Sequence, residues 1–483
     1  MKVVLATAPR AVGEIEMAGL PFLGIAYIAS YLEKHGGHSV AIVDGHSDNL
    51  TSEQIVEKIL AHDPEVVGFT GNTHNRLQVI ATIKLLKKTK PSLMIIVGGP
   101  FFSLTDKNTL EVVPEIDVVV KREGEITAKE LLDVWFSSPT GGPDQEKLKN
   151  VLGITYRGLD GKIIANEDRP FVKDWSQFPF PAWHLYDLNK YQKKIHGTDF
   201  RTIGVISARG CPNFCTFCCN AAYGKASLRL RDPKNFVDEI EMLHKKYGFE
   251  GFNIWDDTLT ILKEHVMAIC DEILKRGLKI KWYARARVNT VDKEMIKKMK
   301  EAGCVRISFG VESGSPRMLK VIKKNITIDQ VRKAVKLSSD AGMIVSLNFI
   351  VNLPTQTWED LKMSADLMKE LNKYPNTSCS YGFALMYPGT EMETFAKENG
   401  IMPKDFSWNS PYKTEKYKIT KEDPSVPYME WPGMELEKVK AFMAREMNTK
   451  TDLLKKGWKR MKKVKSLGEF KSLFKTSLKY LGI

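Results

Sequence analysis

The chain has 483 residues, of which 43% are hydrophobic and 27% are charged, as in globular proteins of two or three domains. It lacks any run of 18 apolar residues, which excludes a hydrophobic membrane-spanning helix. Of the net charge of +14, +9 lies in residues 450–483, so the rest of the chain is close to neutral and we expect no nucleic-acid partner. Its seven scattered cysteines do not suit a disulfide framework and indicate a reducing compartment and a metal cluster. The apolar run at the N-terminus has no signal-peptide layout and predicts a first buried strand, so we expect a cytoplasmic protein.

Residues 1–135 alternate between patterns typical of strands and of helices. The predicted strands are Val3–Ala8, Val40–Val43, Val66–Thr70, Met94–Val97 and Val118–Val120, and the predicted helices between them include Leu23–Lys34, Ser52–His62 and Leu77–Lys88. This alternation predicts a doubly wound parallel sheet with a ligand crevice at the carboxyl ends of its strands.

Glycine and polar residues follow the last three of these strands. They are Gly71, Asn72 and Thr73 after the third strand, Gly98 and Gly99 after the fourth, and Glu123, Gly124 and Glu125 after the fifth. Glycine lets a backbone approach a flat ligand closely, although each segment alone is also compatible with an ordinary turn. Together they predict a ligand-binding edge. His46, which follows the second strand, is predicted to be a solvated loop residue.

Residues 136–195 are interpreted as a connector. Residues 137–143 are rich in Ser, Gly and Pro, and Ile154–Ile164 predicts a small hairpin that turns at Leu159–Gly161. The proline-rich strip Phe178–Trp183 is predicted to be extended and to pack between domains.

Three closely spaced cysteines, Cys211, Cys215 and Cys218, follow a predicted strand at Ile203–Ser207. Thiolates at such spacing bind either zinc or an iron–sulfur cluster, and both usually have four ligands. The adjacent Cys219 could hardly point at the same centre as Cys218. A [4Fe–4S] cluster with three thiolates leaves one iron open for chemistry, and the alternative is a zinc knuckle with a distant fourth ligand.

Strands and helices alternate again as far as Thr390. The further predicted strands are Gly251–Trp255, Ile280–Ala284, Val305–Gly310, Val345–Ile350 and Ser378–Leu385. Polar residues follow or end these strands: Asp256 and Asp257, Arg285 and Arg287, Glu312 and Ser313, and Asn348. Six such units predict a partial barrel with its active site at the strand carboxyl ends.

The cysteine loop resembles that of the radical S-adenosylmethionine (SAM) superfamily, and the order of domains resembles the subfamily with a cobalamin-binding domain before the radical SAM core. The resemblance implies an α/β protein with a Rossmann-like cobalamin domain (1–135), a connector (136–195), a radical SAM partial TIM barrel (196–395) and a C-terminal helical region (396–483). It implies that the three cysteines hold a [4Fe–4S] cluster that binds SAM. Phe217 and the polar strand ends would contact SAM, and the glycine-rich edge would contact cobalamin.

The same resemblance implies reductive cleavage of SAM to a 5′-deoxyadenosyl radical, with an electron donor such as flavodoxin or ferredoxin. Our first interpretation is methylation of an unactivated carbon. A second is radical cyclisation, rearrangement or carbon–carbon bond formation, as in proteins similar to the oxygen-independent magnesium-protoporphyrin monomethyl ester cyclase. A third, from another class, is a non-catalytic corrinoid or iron–sulfur carrier.

The C-terminal region contains a group of aromatic residues and a basic amphipathic segment, and each has two possible roles. Its aromatic residues, Phe406, Trp408, Tyr412, Tyr417, Tyr428 and Trp431, either cover the barrel mouth or merely pack. In residues 450–483, apolar residues recur at spacings of three or four between lysines, which predicts basic amphipathic helices. These helices either dock on the body or contact the inner face of a membrane, beside a lipid-like substrate.

Overall fold

The fold is known from a computed structural model that describes residues 1–10, 20–137, 144–191, 200–404, 406–410 and 430–447. Residues 450–483 and Tyr412, Tyr417 and Tyr428 lie outside the described residues. Within the described part of the chain, no helix combines the length and the apolar character needed to cross a bilayer.

The first sheet has seven strands in the order β2-β1-β3-β4-β5-β6-β7. Its strands are β1 (Lys2–Thr7), β2 (Ser39–Asp44), β3 (Val66–Thr70), β4 (Met94–Gly98), β5 (Val118–Val120), β6 (Ile154–Arg157) and β7 (Ile163–Ala165). Neighbouring strands from β1 to β5 are parallel, as predicted. The predicted hairpin forms β6 and β7, and it extends the sheet through an antiparallel pairing of β6 with β5.

Helices cover both faces of this sheet. They are α1 (Leu23–Gly36), α2 (Ser52–Ala61), α3 (Arg76–Thr89), α4 (Pro100–Leu104), α5 (Asp106–Val112), α6 (Glu125–Trp135) and α7 (Gln145–Leu148). The apolar faces of α1 and α6 pack on one side, and those of α2 and α3 pack on the other, which makes the sheet doubly wound. Helix α2 begins at a capping box between Thr51 and Gln54, which satisfies the first backbone N–H groups of the helix.

The second large sheet has six parallel strands in the order β15-β14-β13-β12-β11-β8. Its strands are β8 (Thr202–Val205), β11 (Gly251–Ile254), β12 (Lys281–Ala286), β13 (Cys304–Glu312), β14 (Ile344–Val351) and β15 (Thr377–Phe383), and a separate antiparallel pair consists of β9 (Ala208–Arg209) and β10 (Arg229–Leu230). The six predicted strands of the partial barrel are therefore confirmed. The pair β9–β10 brackets the cysteine loop.

Most helices of this half pack on one face of the second sheet. They are α8 (Cys219–Tyr223), α9 (Pro233–Tyr247), α10 (Lys263–Lys275), α11 (Lys293–Glu301), α12 (Pro316–Val321), α13 (Ile328–Asp340), α14 (Trp358–Leu371), α15 (Glu391–Glu398) and α16 (Leu436–Met447). The sheet residues under these helices, such as Trp282, Ile307 and Leu347, are buried and apolar.

The segment after the barrel packs against both domains. Arg76 at the start of α3 is fully buried, and its Nε donates to the carbonyl oxygen of Trp408 at 2.6 Å. The indole Nε1 of Trp408 donates to Glu393 at 2.7 Å, and that of Trp431 donates to the carbonyl oxygen of Asn352 at 2.9 Å. These two tryptophans therefore pack and hold elements together.

Candidate functional site

A cavity of about 580 Å³ lies between the two domains. On the N-terminal side it is lined by Gly71, Asn72, Gly98, Gly99, Glu123, Gly124 and Glu125. On the other side it is lined by residues that flank the cysteine loop, including Arg209, Gly210, Cys219, Asn220, Tyr223, Arg229, Trp255 and Asp257. The structure thus brings the predicted glycine-rich edge to one wall of a shared cavity. Thr73 is buried and lies outside that wall.

The inner end of the cavity is an apolar slot between the first sheet and helices α1 and α6. Its lining comprises Val3, Leu5, Val66 and Ile96 from the strands and Ile25, Ile28, Leu32, Ala128 and Leu132 from the helices. Gly68 faces this slot: a Cβ there would lie 2.8 Å from Leu5 Cδ2 and within 4 Å of no other neighbour. A Cβ at Gly124 would lie 2.8 Å from Ile28 Cδ1. An apolar slot behind a polar mouth suits a corrin with its nucleotide tail inserted into the domain.

His46 differs from the prediction of a solvated residue, because it is only 3% exposed. Its backbone N–H donates to Thr7 Oγ1 at 3.0 Å, and its ring meets Phe22 edge-on with centroids 5.3 Å apart. These contacts place the ring in the packing between the end of β1 and the start of α1, behind Phe22, which itself lines the cavity. The residues that line the cavity include no histidine.

Glu123 and Glu125 form ion pairs with arginines on either side of the cysteine loop. Arg209 donates to Glu123 at 3.3 Å and to Glu125 at 2.6 Å, and Arg229 donates to Glu123 at 2.8 Å. The Arg209 guanidinium also stacks on Trp175, 4.7 Å from the ring centroid. The two carboxylates predicted to contact cobalamin therefore also join the domains.

A second contact between the domains involves Arg122 and Tyr223. The Tyr223 hydroxyl donates to the Arg122 carbonyl oxygen at 2.6 Å, and Arg122 Nη1 donates to the Tyr223 carbonyl oxygen. Burial raises the pKa of Tyr223, so its hydroxyl keeps the proton that it donates. Because Tyr223 ends the helix that follows Cys218, the N-terminal domain helps to position the cysteine loop.

Within the cysteine loop, Cys215 is buried and Cys211 and Cys218 are half-buried. Cys218 N–H donates to the Cys215 carbonyl oxygen at 3.1 Å, and Asn213 Nδ2 donates to Cys211 Sγ at 3.2 Å. Gly210 is at φ +82°, and a Cβ there would lie 2.1 Å from the Ser227 carbonyl oxygen, so only glycine fits where the chain enters the loop.

The donor set of the loop fits a cluster. Between Cys211 and Cys218 the loop supplies three cysteine thiols and neither a histidine nor a carboxylate. A zinc ion requires ligands around a single point, whereas each thiolate of a cubane cluster binds a different iron. Burial raises the pKa of the Cys218 thiol to about 12, so the thiol becomes a ligand only when a metal displaces its proton.

Arg287 lies beside Cys215 and is linked through Lys324 to Glu312. Arg287 Nη1 lies 4.0 Å from Cys215 Sγ, and its Nη2 donates to the carbonyl oxygen of Lys324. Lys324 Nζ in turn donates to Glu312 Oε1 at 2.7 Å. Glu312 adopts the left-handed conformation, with φ at 71°. These predicted SAM contacts thus form one network at the wall of the cysteine loop.

The two neighbouring aspartates have different surroundings. Asp256 is buried, and its carboxylate accepts from Ser207 N at 2.7 Å, Ser207 Oγ at 2.6 Å and Ala208 N at 3.1 Å. Burial raises its pKa to about 6, although these hydrogen bonds act in the opposite direction. Asp257 faces the cavity and accepts from Asn220 Nδ2 at 2.6 Å. Burial raises the pKa of Asp257, which the Asn220 bond and the Arg285 charge oppose.

The remaining predicted SAM contacts are spread over the second domain. Ser313 is fully buried and bonds Ser364 and the backbone of Ser315, so it holds a turn. Asn348 bonds Ser308 and Ser380 on the open face of the sheet, and Phe217 is half-buried against the core. Arg285 stacks on Trp255, 4.3 Å from the ring centroid. Their contacts with SAM stay predictions.

Sequence reasoning did not identify Arg209, Arg229, Tyr223 and Trp255 as part of the site. Arg209 lies 84 residues after Glu125 and Arg229 lies 106 residues after Glu123, and nothing in local periodicity indicates such partners. The available signal was Arg209, a charged residue that ends an apolar strand pattern two residues before Cys211, because a charged residue at such a position needs a counterion when it is buried.

Two family sequence profiles match the chain: the Radical SAM superfamily over residues 205–368 and the B12 binding domain over residues 19–132. An uncharacterized methyltransferase of Pyrococcus horikoshii is 32% identical over 404 residues, which cover 83% of this chain and 84% of the relative. An anaerobic magnesium-protoporphyrin IX monomethyl ester cyclase of Rubrivivax gelatinosus is 30% identical over 368 residues, covering 74% of this chain and 64% of the relative.

Solved structures share the fold at low sequence identity. The cobalamin-dependent SAM radical enzyme OxsB, with aqua-cobalamin and SAM bound, has a TM-score of 0.72 at 19% identity, covering 98% of this chain and 70% of OxsB. The radical SAM methyltransferase TsrM from Kitasatospora setae, with cobalamin and a [4Fe–4S] cluster bound, has a TM-score of 0.73 at 17% identity, covering 93% and 91%. The chain therefore belongs to the cobalamin-dependent radical SAM methyltransferase family, whose cofactors are a [4Fe–4S] cluster, SAM and cobalamin.

Proposed function

We propose that this enzyme methylates an unactivated carbon atom of a small molecule. The observation that carries the proposal is the shared cavity, whose walls are the glycine-rich edge of the N-terminal domain and the helix that follows Cys218. When bound, the cluster and SAM supply a carbon-centred radical and cobalamin supplies a methyl group. Residues of both domains thus line one space in which the two chemistries can meet on one substrate.

The chain's own residues have positioning roles in this proposal. Asp256 fixes the backbone of Ser207 and Ala208, so the strand that leads to the cysteines is held in place. Arg209 ties that strand to Glu125 across the cavity. Both contacts are buried, where charge-assisted hydrogen bonds are strong. We infer that they fix the distance between the cluster and the corrin.

Radical cyclisation is the second candidate, because the cyclase of Rubrivivax gelatinosus is 30% identical over most of this chain. The two reactions and the carrier hypothesis differ in their products. Methylation consumes a second SAM as the methyl source, so it releases S-adenosylhomocysteine as well as 5′-deoxyadenosine. Cyclisation releases 5′-deoxyadenosine but no S-adenosylhomocysteine. A carrier releases neither.

The test uses full-length protein, reconstituted anaerobically with iron, sulfide and cobalamin and supplied with SAM and a low-potential reductant. We expect both 5′-deoxyadenosine and S-adenosylhomocysteine, together with methylcobalamin, measured by liquid chromatography and mass spectrometry. The Cys215→Ala variant should form no 5′-deoxyadenosine. Formation of 5′-deoxyadenosine without S-adenosylhomocysteine would favour the cyclase interpretation. The absence of both products would contradict enzymatic function.

The basic C-terminal residues 450–483 bear on the substrate and on where the enzyme meets it. We propose a hydrophobic, lipid-like substrate that the enzyme meets at the inner face of the membrane, with flavodoxin or ferredoxin as the electron donor. Its support is the basic amphipathic pattern of residues 450–483. Liposome co-sedimentation of the full chain and of a chain ending at Asn448 tests it. The full chain should bind anionic vesicles more strongly, and equal binding would contradict the role of the tail.

A further inference from the structure

The face of the six-stranded sheet opposite the helices carries a polar lining. We call this lining the polar face; it consists of Asn253, Tyr283, Arg285, Arg306, Ser308, Ser346, Asn348 and Ser380. Residues that alternate with these, such as Trp282, Ile307 and Leu347, are buried under the helices. Because side chains alternate between the two faces of a strand, all eight residues project to the same side.

Arg306 occupies the lower layer of the polar face, beside Tyr283 and Asn253 on the neighbouring strands. Its Nε and Nη2 donate to Ser346 Oγ at 3.0 and 2.7 Å, and its guanidinium lies 5.5 Å from the Tyr283 ring centroid. Across all the described ranges of the chain, no carboxylate forms an ion pair with Arg306. The hydroxyl of Tyr283 likewise has no hydrogen-bond partner there.

Asn253 provides an independent observation in the same layer. Its Oδ1 is buried and accepts no hydrogen bond from any described residue. Buried polar atoms are nearly always bonded, so this amide oxygen, which is an acceptor, lacks a donor such as a hydroxyl group beside the half-buried Arg306 guanidinium. The register pairs Asn253 with Tyr283 and Tyr283 with Arg306, so the three side chains lie side by side.

Other enclosed arginines of this protein are paired differently. Arg209 and Arg229 bind Glu123, Arg231 binds Glu239, and the buried Arg76 and Arg287 donate to backbone carbonyl oxygens. An enclosed cation without a counterion is unfavourable, because the protein replaces its hydration incompletely. Arg306 has only one serine hydroxyl in compensation, which a bound anion would complete.

We propose that Arg306 and the Tyr283 hydroxyl donate to an anionic group of the substrate, either a phosphate or phosphonate or a carboxylate, and that Asn253 Oδ1 accepts from a hydroxyl group of the same substrate. This inference rests on the proposed function and specifies its substrate class. Arg306 lies four residues before Gly310 at the upper end of β13, or about 13 Å along the strand. The substrate is therefore elongated, with its anionic group deep on the polar face and its reacting carbon near the cysteine loop. A lipid-like substrate would accordingly be an acidic amphiphile.

The test measures anion binding to the reconstituted full-length enzyme with cobalamin and SAM bound, by isothermal titration calorimetry. The probes are methylphosphonate and acetate, which distinguish the two kinds of anion. Arg306→Gln should weaken binding of the preferred probe by roughly 10- to 100-fold, as expected for loss of a charged hydrogen-bond donor. Arg306→Lys should retain part of the affinity because it keeps the charge.

Arg332→Gln is the matched control, since Arg332 is exposed and pairs with Glu370 on the outer helices. It should leave anion binding unchanged, and all variants should retain wild-type iron and cobalamin contents. Unaltered binding in Arg306→Gln, or equal weakening in Arg332→Gln, would overturn the proposal. If the wild type forms neither S-adenosylhomocysteine nor 5′-deoxyadenosine while Arg306→Gln still abolishes binding, the proposed function fails and the anion site stands.

Discussion

Arg209 Nη2 lies 2.6 Å from Glu125 Oε1, and the two residues belong to different domains. Arg209 ends β9 directly before the cysteine loop, and Glu125 begins α6 at the glycine-rich edge. Their side chains are only 13% and 4% exposed. The sites for the two cofactors therefore share a buried ion pair, and a displacement of one domain displaces a wall of the other site.

Replacement of Arg209 by Met should destabilise the protein by about 3 kcal/mol, because Glu125 would remain buried without its counterion. The double variant with Glu125→Gln should lose less than the sum of the two single variants. Thermal unfolding of the reconstituted protein measures both effects. The exposed pair of Arg332 and Glu370 is the control, and its removal should cost no more than about 1 kcal/mol. Additive losses at Arg209 and Glu125 would show that the two residues do not interact.

Substitution of Cys211, Cys215 or Cys218 by Ala should abolish the cluster and SAM cleavage. We expect about four irons and four sulfides per wild-type chain after anaerobic reconstitution, as a cubane cluster requires. Cys219→Ala should retain this content, because Cys219 begins α8 and faces the cavity shared with the N-terminal domain. Recovery of one zinc per chain without iron would contradict the assignment.

Gly68→Val should weaken cobalamin binding by about 10-fold or more, because its methyl groups would project into the apolar slot. Valine suits a β-strand, so we expect the sheet itself to form. Equilibrium dialysis with cobalamin measures the affinity. Gly382→Val is the matched control, since Gly382 lies on β15 with no neighbour within 4 Å of a Cβ. The electron paramagnetic resonance spectrum of bound cob(II)alamin should show no splitting from a protein nitrogen.

The stability of the protein should depend on pH through Asp256. Its pKa is raised to about 6 by burial, so between about pH 4 and 6 the folded protein binds a proton that the unfolded chain lacks. The contribution of Asp256 to the free energy of unfolding is therefore largest below about pH 4. It falls by up to about 3 kcal/mol as the pH rises from about 4 to about 6. Urea unfolding between pH 4.5 and 7 measures this slope.

Asp256→Asn should remove that slope, since its side chain does not titrate. The exposed Asp340, which pairs with Lys336, provides the control, and Asp340→Asn should leave the slope unchanged. A wild-type profile that is flat over this range would show that the hydrogen bonds from Ser207 and Ala208 keep Asp256 ionised throughout.

The two sheets could be predicted from sequence because each strand carries its own signal. Val66–Thr70 and Met94–Val97 are short, apolar and β-branched, and the structure places β3 and β4 there within one residue. Parallel strands buried on both faces consist almost entirely of such residues, so local composition suffices. The cysteine spacing was similarly informative, since three thiolates within eight residues have few alternative uses.

Contacts between distant segments could not be predicted in this way. Glu123 and Glu125 line the cavity at the edge where they were expected, but their partners Arg209 and Arg229 lie more than 80 residues further along the chain. His46 was expected in solvent because it lies in a polar loop, whereas packing against Phe22 buries it. The pairing of β6 with β5 was missed for the same reason: a hairpin pattern indicates a turn, not the strand edge that it joins.

The aliphatic slot between α1, α6 and the first sheet also affects how much of this protein a cell can maintain. An inserted corrinoid tail would give the side chains that line it further packing contacts, so the cofactor would stabilise the folded chain according to its free concentration. Newly synthesised chains in a corrinoid-poor cell would unfold more often and be degraded faster by proteases. Vitamin supply would thus set the abundance of the enzyme as well as the fraction that is active.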